Sequence, residues 1–175
     1  MAAAQTIAAW IDGRLQPVEK LAVHRRGLRH PAVSVFVMDG ARTLIQRRAL
    51  GKYHTPGLWA NACCTHPHWG ETPAACAARR LREELGIAGL ALVPRGLVAY
   101  RAEVGGGMVE HEEVEIFVAE AGPTLALSPD PAEVMDTRWV DLAALRDEIA
   151  AAPDRFTPWL RIYLANHAER IFARA

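Results

Sequence analysis

The side chains best suited to chemistry crowd into two stretches. The first reads Cys63-Cys64-Thr65-His66-Pro67, then Gly70-Glu71, then Arg79-Arg80-Leu81-Arg82-Glu83-Glu84. Cys64 is a candidate nucleophile or proton donor, and His66, two residues on, a candidate metal ligand. Thr72-Pro73 predicts a helix start, with Thr as N-cap and Pro at the first helical position, and Gly86 predicts its stop. Ala77, Leu81 and Leu85 give that helix one apolar face, and Arg80 and Glu84, four apart, share the face beside it. Reactive side chains delivered to the N-terminus of a charged helix suit a phosphate-bearing substrate. The plainer alternative is a loop-helix unit with a buried cysteine.

The second stretch is Met108-Val109-Glu110-His111-Glu112-Glu113-Val114-Glu115. In a strand Glu110 and Glu112 point to one face and His111 to the other. Two neighbouring carboxylates repel unless a cation or a proton sits between them. The pair is therefore part of a metal site or part of a solvated acidic edge, which Glu113 and Glu115 would extend. His24, His30 and His66 lie outside the obvious strand cores. Singly, each reads as a surface or capping residue. Together, three neutral imidazoles and two carboxylates would make a mixed nitrogen–oxygen site for a divalent ion such as Mn²⁺, Mg²⁺ or Zn²⁺.

These residues need a scaffold, and the chain can supply one. Its 175 residues, 51% of them hydrophobic, suit a single domain over 1–175 with a proper core. Twenty basic and twenty acidic residues cancel, which argues against a nucleic-acid partner but leaves room for a local basic pocket. Three cysteines, two of them adjacent, are too few for a disulfide framework and imply a reducing, cytoplasmic setting. The opening MAAAQTIAAWIDG lacks the pattern of a signal peptide, and no apolar run approaches the roughly 20 residues of a spanning helix. A membrane partner is not expected, and the chain is expected to be a monomer or weak homodimer.

Strands are predicted at Ile7–Ile11, turned by Asp12-Gly13, at Ala32–Met38, and at Thr43–Arg47 after an Asp39-Gly40 hairpin turn. Further strands are predicted within Leu90–Arg101, at Met108–Ala119 after a triple-glycine turn, and at Val134–Val140. Pro17–Arg29 reads as a polar connection, Ala49–Trp59 as a loop around Pro56-Gly57, and 123–131 as another loop. Helices are predicted at Pro73–Leu85, Leu142–Ala151 and Pro158–Arg170. Hairpins around one helix, with helices at the end, imply an α+β fold, an α/β/α sandwich rather than a doubly wound parallel sheet.

From about Trp10 to Trp159 the chain resembles the type I isopentenyl-diphosphate isomerases of the Nudix superfamily. The likeness rests on Trp59-Ala-Asn61-Ala-Cys63-Cys64-Thr65-His66-Pro67, Gly70-Glu71, Arg79-Arg80-Leu-Arg-Glu83-Glu84-Leu-Gly86, Tyr100-Arg101, Glu110-x-Glu112 and Phe156-Thr-Pro-Trp159. It implies a Nudix-like mixed sheet flanked by helices. It also implies a metal-dependent interconversion of isopentenyl and dimethylallyl diphosphate, a step of isoprenoid biosynthesis. Cys64 and Glu112 are similar to the catalytic pair, and Tyr100 to a residue that assists proton transfer. His24, His30, His66, Glu110 and Glu112 are similar to the ligands of a Mn²⁺ or Mg²⁺ ion. Glu84, helped by the Cys64 carbonyl, resembles the holder of a second Mg²⁺ on the diphosphate. Lys20, Arg48, Lys52 and Arg80 resemble diphosphate contacts, and Trp159 the ring over the organic tail.

Nudix hydrolases carry G-x5-E-x7-R-E-U-x-E-E-x-G-U, where U is bulky and aliphatic. Here Glu71 and Arg79 fit, but Thr65 replaces the first Gly and Arg80 replaces a Glu. An arginine in place of a metal-binding acid favours holding a diphosphate over cleaving it. A diphosphohydrolase and a non-catalytic binding module of the same fold are the alternatives. Arg80 speaks against the first, and intact Cys64, His66, Glu110 and Glu112 against the second.

Overall fold

The computed structural model describes residues 5–122 and 124–173. The first four residues of the MAAAQTIAAWIDG stretch lie outside them, as does Pro123, where the sequence predicts a loop to begin. Two strands, β1 (Thr6–Ile11) and β2 (Arg14–Glu19), form a separate antiparallel hairpin. Asp12 and Gly13 both have positive φ there, which is what a tight hairpin turn demands. Helix α1 (Lys20–Arg26) follows at once. The Glu19 carboxylate caps it by accepting from the Leu21 and Ala22 amides, each at 2.8 Å. The expected polar connection over Pro17–Arg29 is thus the end of a strand and a short helix. Its helical periodicity is hidden because seven residues show barely two turns.

The main sheet contains β3 (His30–Asp39), β4 (Arg42–Arg48), β5 (Trp59–Asn61), β6 (Cys63–Thr65), β7 (Val93–Gly105), β8 (Met108–Glu120) and β9 (Val134–Asp141). Its main path runs β5-β4-β3-β8-β7, with β6 on β3 and β9 on β4. Pairing is antiparallel except between β3 and β8. Cys63–Thr65, read from sequence as loop, is a strand because it finds a partner in Val33–Val35; three residues carry no periodicity of their own.

Side chains of β3 alternate between two cores. Val33, Val35 and Val37 pack with Leu44, Ala77, Leu81 and Leu85 beneath α2 (Pro73–Leu85). Phe36 and Met38 pack with Ile116, Val118, Trp159, Leu160 and Tyr163 beneath the C-terminal helices. Those are α3 (Leu142–Ala151), α4 (Pro158–Asn166) and α5 (Ala168–Ile171). The single helix expected over Pro158–Arg170 breaks at His167, which has left helical geometry. Helices cover both faces of a mixed sheet, the expected α/β/α arrangement. At the end of α2, Gly86 has φ +69°, and a Cβ there would stand 2.8 Å from the Ser128 side chain and 3.1 Å from its backbone. That glycine lets the 128–133 segment lie against the helix end, where Ser128 N donates to Leu85 O (2.9 Å) and Asp130 N to Glu84 O (3.0 Å).

Candidate active site

The sheet register assembles the first half of the site. β3 runs parallel to β8 with His30 opposite Glu112, and β7 runs antiparallel to β8 with Tyr100 opposite Glu112. Glu112 is therefore flanked on one sheet face by an imidazole and a phenol. Glu110, two residues back, shares that face. Glu110 and Glu112 are only 2% and 1% exposed, which rules out the solvated-edge reading for this pair. His66 follows β6 directly, and its Nε2 lies 2.9 Å from Glu112 Oε1 and 3.2 Å from His30 Nε2. His24 comes from the inward face of α1.

Hydrogen bonds decide which ring nitrogens face the centre. Lys20 O accepts from His24 Nδ1 and Leu28 O from His30 Nδ1, each at 2.7 Å. A carbonyl only accepts, so in the neutral rings both Nε2 atoms carry lone pairs. Burial keeps His66 neutral and pushes His24 down to about 4. His30 Nε2 stands 3.4 Å from Glu112 Oε1, and a neutral ring there would set lone pair against lone pair unless a cation lay between them. The ligating atoms of His24, His30, His66 and Glu112 all lie within 4.8 Å of one another, as one coordination sphere requires.

Glu110 does not join that group in this arrangement. It clusters instead with His24 and His54, its Oε1 standing 3.2 Å from His54 Nε2. Burial and the charge of Glu112 push its carboxyl well above the usual range. Burial alone would also raise Glu112, but the imidazoles of His30 and His66 outweigh it and hold Glu112 low. Tyr100 Oη makes contacts of 2.7 Å to both carboxylates. One phenol has one proton to give. It donates to ionised Glu112 and accepts from protonated Glu110, so the three groups form a satisfied chain.

Cys64 stands opposite Ser34 across the β3–β6 pair and opens into the same cavity as Glu110 and Glu112. Burial and the charges of Glu112 and Glu110 push its thiol up, so it rests as S–H. Cys64 contributes no atom to either candidate metal group among the described residues; its expected link to metal through the carbonyl is a separate matter. Cys63 points to the opposite face, into the α2 core, with Sγ 3.9 Å from Glu84 Oε1.

Lys20, Arg48, Lys52 and Arg80 line the same cavity, and Trp159 closes part of its wall. Arg48 sits 5.3 Å over the Trp159 ring, and its buried Nε has no partner among the described residues. Burial and the charges of Lys52 and Arg80 push Lys20 down to about 8. Lys52 pairs with Glu133 and Arg80 with Glu84, but Lys20 and Arg48 make no ion pair among the described residues, so the cluster suits an incoming anion. Glu84 lies apart from the histidines. Arg80 donates to its Oε1 (2.6 Å) and Gln46 to its Oε2 (2.8 Å). Glu71 and Arg79 form a two-bond clamp at 2.7 and 2.8 Å that pins the start of α2. The Arg79 hydrogen bond pushes Glu71 down to about 2.

The structure thus gathers Lys20, His24, His30, Arg48, Lys52, Cys64, His66, Arg80, Tyr100, Glu110, Glu112 and Trp159 around one centre. Sequence reasoning missed His54 as a member of that neighbourhood. His54 is delivered by a loop whose next residue, Thr55, has φ +46°, a strained turn that aims the ring inward. Its position beside Lys52 was the only cue.

The NUDIX domain family matches residues 28–160 of the chain. An isopentenyl-diphosphate Delta-isomerase of Cereibacter sphaeroides (strain ATCC 17025 / ATH 2.4.3) is 66% identical over 170 residues, 97% of this chain and 96% of that protein. One of Dinoroseobacter shibae is 63% identical over 166 residues, covering 95% of this chain and 94% of that protein. A solved Deinococcus radiodurans protein, DR0079, superposes with a TM-score of 0.75 at 14% identity, over 96% of this chain and 99% of that one. That last likeness is one of fold. The matched domain and the extent of identity place the chain in the isopentenyl-diphosphate Delta-isomerase family of the Nudix superfamily.

Proposed function

We propose that this chain interconverts isopentenyl diphosphate and dimethylallyl diphosphate by adding a proton to one end of an allylic system and removing one from the other. The observation that carries the reading is a thiol, Cys64, and a carboxylate, Glu112, in one buried cavity that also holds four cations and an indole face. An unactivated alkene is a weak base, so its protonation requires a strong, well-placed acid. Protonation of the terminal carbon leaves a tertiary cation, and loss of a proton from the neighbouring methylene gives the rearranged alkene. Cys64 and Glu112 are the two proton-transfer groups on opposite faces of the alkene, and Tyr100 Oη, 2.7 Å from both Glu110 and Glu112, relays a proton between those carboxyls. Trp159 is 1% exposed; its ring shields the cation from water and stabilises it through its π face.

His24, His30, His66 and Glu112 would hold a divalent ion, Mn²⁺ suiting their nitrogen-rich set well, with Glu110 turning in as a fifth ligand. When bound, that ion fixes the Glu112 carboxyl and tunes its acidity. Glu84, with the Cys64 carbonyl, would hold a second Mg²⁺ on the diphosphate, for which Arg80 must give up its bond to Glu84. Lys20, Arg48, Lys52 and Arg80 bind the phosphate oxygens. The cavity encloses ≈ 20 Å³ as it stands, so the substrate enters by displacing side chains at its rim. The setting is the cytoplasm, and the partner a small isoprenoid diphosphate.

Purified protein given isopentenyl diphosphate in D₂O is expected to yield dimethylallyl diphosphate carrying deuterium in a methyl group, read by NMR. Product free of deuterium would exclude protonation by groups that exchange with solvent. Release of phosphate or pyrophosphate without isomerisation would mark a hydrolase instead. Arg80→Glu is expected to raise KM for isopentenyl diphosphate at least about tenfold, because it replaces a phosphate-binding cation with a charge that repels the ligand. An unaltered KM would remove Arg80 from the phosphate contacts.

A further inference from the structure

We infer that Glu133 is a positioning residue for the diphosphate, its carboxylate holding Lys52 and Arg80 from behind at the spacing the phosphate oxygens require. Lys52 comes from the 49–58 loop and Arg80 from the middle of α2, elements with no strand pairing to fix them to each other. One carboxylate joins them. Lys52 Nζ donates to Glu133 Oε2, and Arg80 Nη2 stands 3.4 Å from Glu133 Oε1. Glu133 does not line the cavity, whereas both cations do, so it supports them without occupying the ligand's place.

The backbone around Glu133 makes it a joint. Asp130 N is bonded to Glu84 O, and Glu133 N to Asp130 O (3.0 Å), which ties the segment to the end of α2. Ala49 N donates to Glu133 O (2.9 Å), and Lys52 N to Ala49 O (3.2 Å), which ties the loop to the same residue. Glu133 therefore holds the Lys52 ammonium through its side chain and the Lys52 loop, by way of Ala49, through its main chain. Glu83 and Glu84 hold Arg80 to its own helix, but among the described residues Glu133 alone pairs with both Lys52 and Arg80 and so opposes their mutual repulsion. A part-buried carboxylate between them balances that repulsion before the ligand arrives, which lowers the ordering cost of binding.

This inference rests on the diphosphate reading of the cavity. Its test measures binding of inorganic pyrophosphate with Mg²⁺ by calorimetry, alongside KM, kcat and metal content, in wild type, Glu133→Gln and Glu133→Asp. Glu133→Gln is expected to weaken pyrophosphate binding and raise KM about tenfold while kcat stays within about twofold. Glu133→Asp should recover part of the loss, and metal content should not change. Affinity within twofold of wild type in Glu133→Gln, tighter binding, or a loss confined to kcat or to melting temperature would each overturn the positioning role. Wild-type protein that binds pyrophosphate but does not isomerise would sink the proposed reaction while leaving Glu133 testable by pyrophosphate affinity.

Discussion

Cys64→Ser and Glu112→Gln are each expected to lower kcat by about 10²- to 10⁴-fold, the usual loss when a general acid or base is removed. The proposed diphosphate contacts, Lys20, Arg48, Lys52 and Arg80, are touched by neither change, so KM should stay within a few-fold. Loss in kcat and kcat/KM together is the signature of an interaction made in the transition state. The serine is smaller and holds its proton far more tightly than a thiol, so the pocket remains filled while the proton chemistry fails. Cys63→Ser is the control. Its side chain is fully buried on the α2 side of the sheet, so turnover should fall by far less, with any cost appearing as reduced stability. Equal losses in Cys63→Ser and Cys64→Ser, or full activity in Cys64→Ser, would dismiss the thiol as a reacting group.

Much of this arrangement was legible in the chain itself, and the reasons are local. Pro73–Leu85 declared its start through Thr72-Pro73 and its end through Gly86, and the helix occupies those residues. The Leu142–Ala151 helix and the Met108 strand were equally plain, since each is long enough to show a period. Glu110 and Glu112 could be placed on one face by alternation alone. Whether that face met solvent or protein could not be read, because it depends on β3 lying parallel to β8, a pairing between residues about eighty positions apart. The same non-local pairing put His30 beside Glu112. The resemblance to a family supplied the remaining neighbours, and all of its expected site residues except Glu84 meet around the cavity. Glu84 instead lies behind it, occupied by Arg80 and Gln46.

What stayed hidden shares a physical character. α1, β6 and the break at His167 are each too short for periodicity to speak. His54 and Glu133 sit in irregular segments, and their roles come from contacts with distant partners, Glu110 in one case and Lys52 with Arg80 in the other. A lone histidine in a loop and a lone glutamate before a strand have no sequence signature. Only the folded arrangement turns them into a ring aimed at a buried carboxyl and a brace between two cations.

Stripping divalent ions with a chelator is expected to abolish turnover and to lower the melting temperature by roughly 10 °C. The activity follows from Glu112, which loses its fixed orientation beside the alkene. The stability follows from linkage. An ion held at about a thousand times its Kd contributes about 4 kcal/mol, and each kcal/mol moves the midpoint of a domain this size by about 2–4 °C. The donor set also predicts which ion restores both. Three imidazole nitrogens with one carboxylate favour Mn²⁺ or Zn²⁺ over Mg²⁺, which prefers oxygen ligands and keeps its water. Adding Mn²⁺ to the stripped protein should therefore restore the melting temperature, and Mg²⁺ alone should not. Mg²⁺ is expected to act with the diphosphate, raising substrate affinity once the first site is filled. His66→Ala should abolish the Mn²⁺-dependent rise in melting temperature and broaden or erase the bound Mn²⁺ resonance. A melting temperature indifferent to chelation, or fully restored by Mg²⁺ alone, would show that the four residues do not make the nitrogen-rich site their geometry describes.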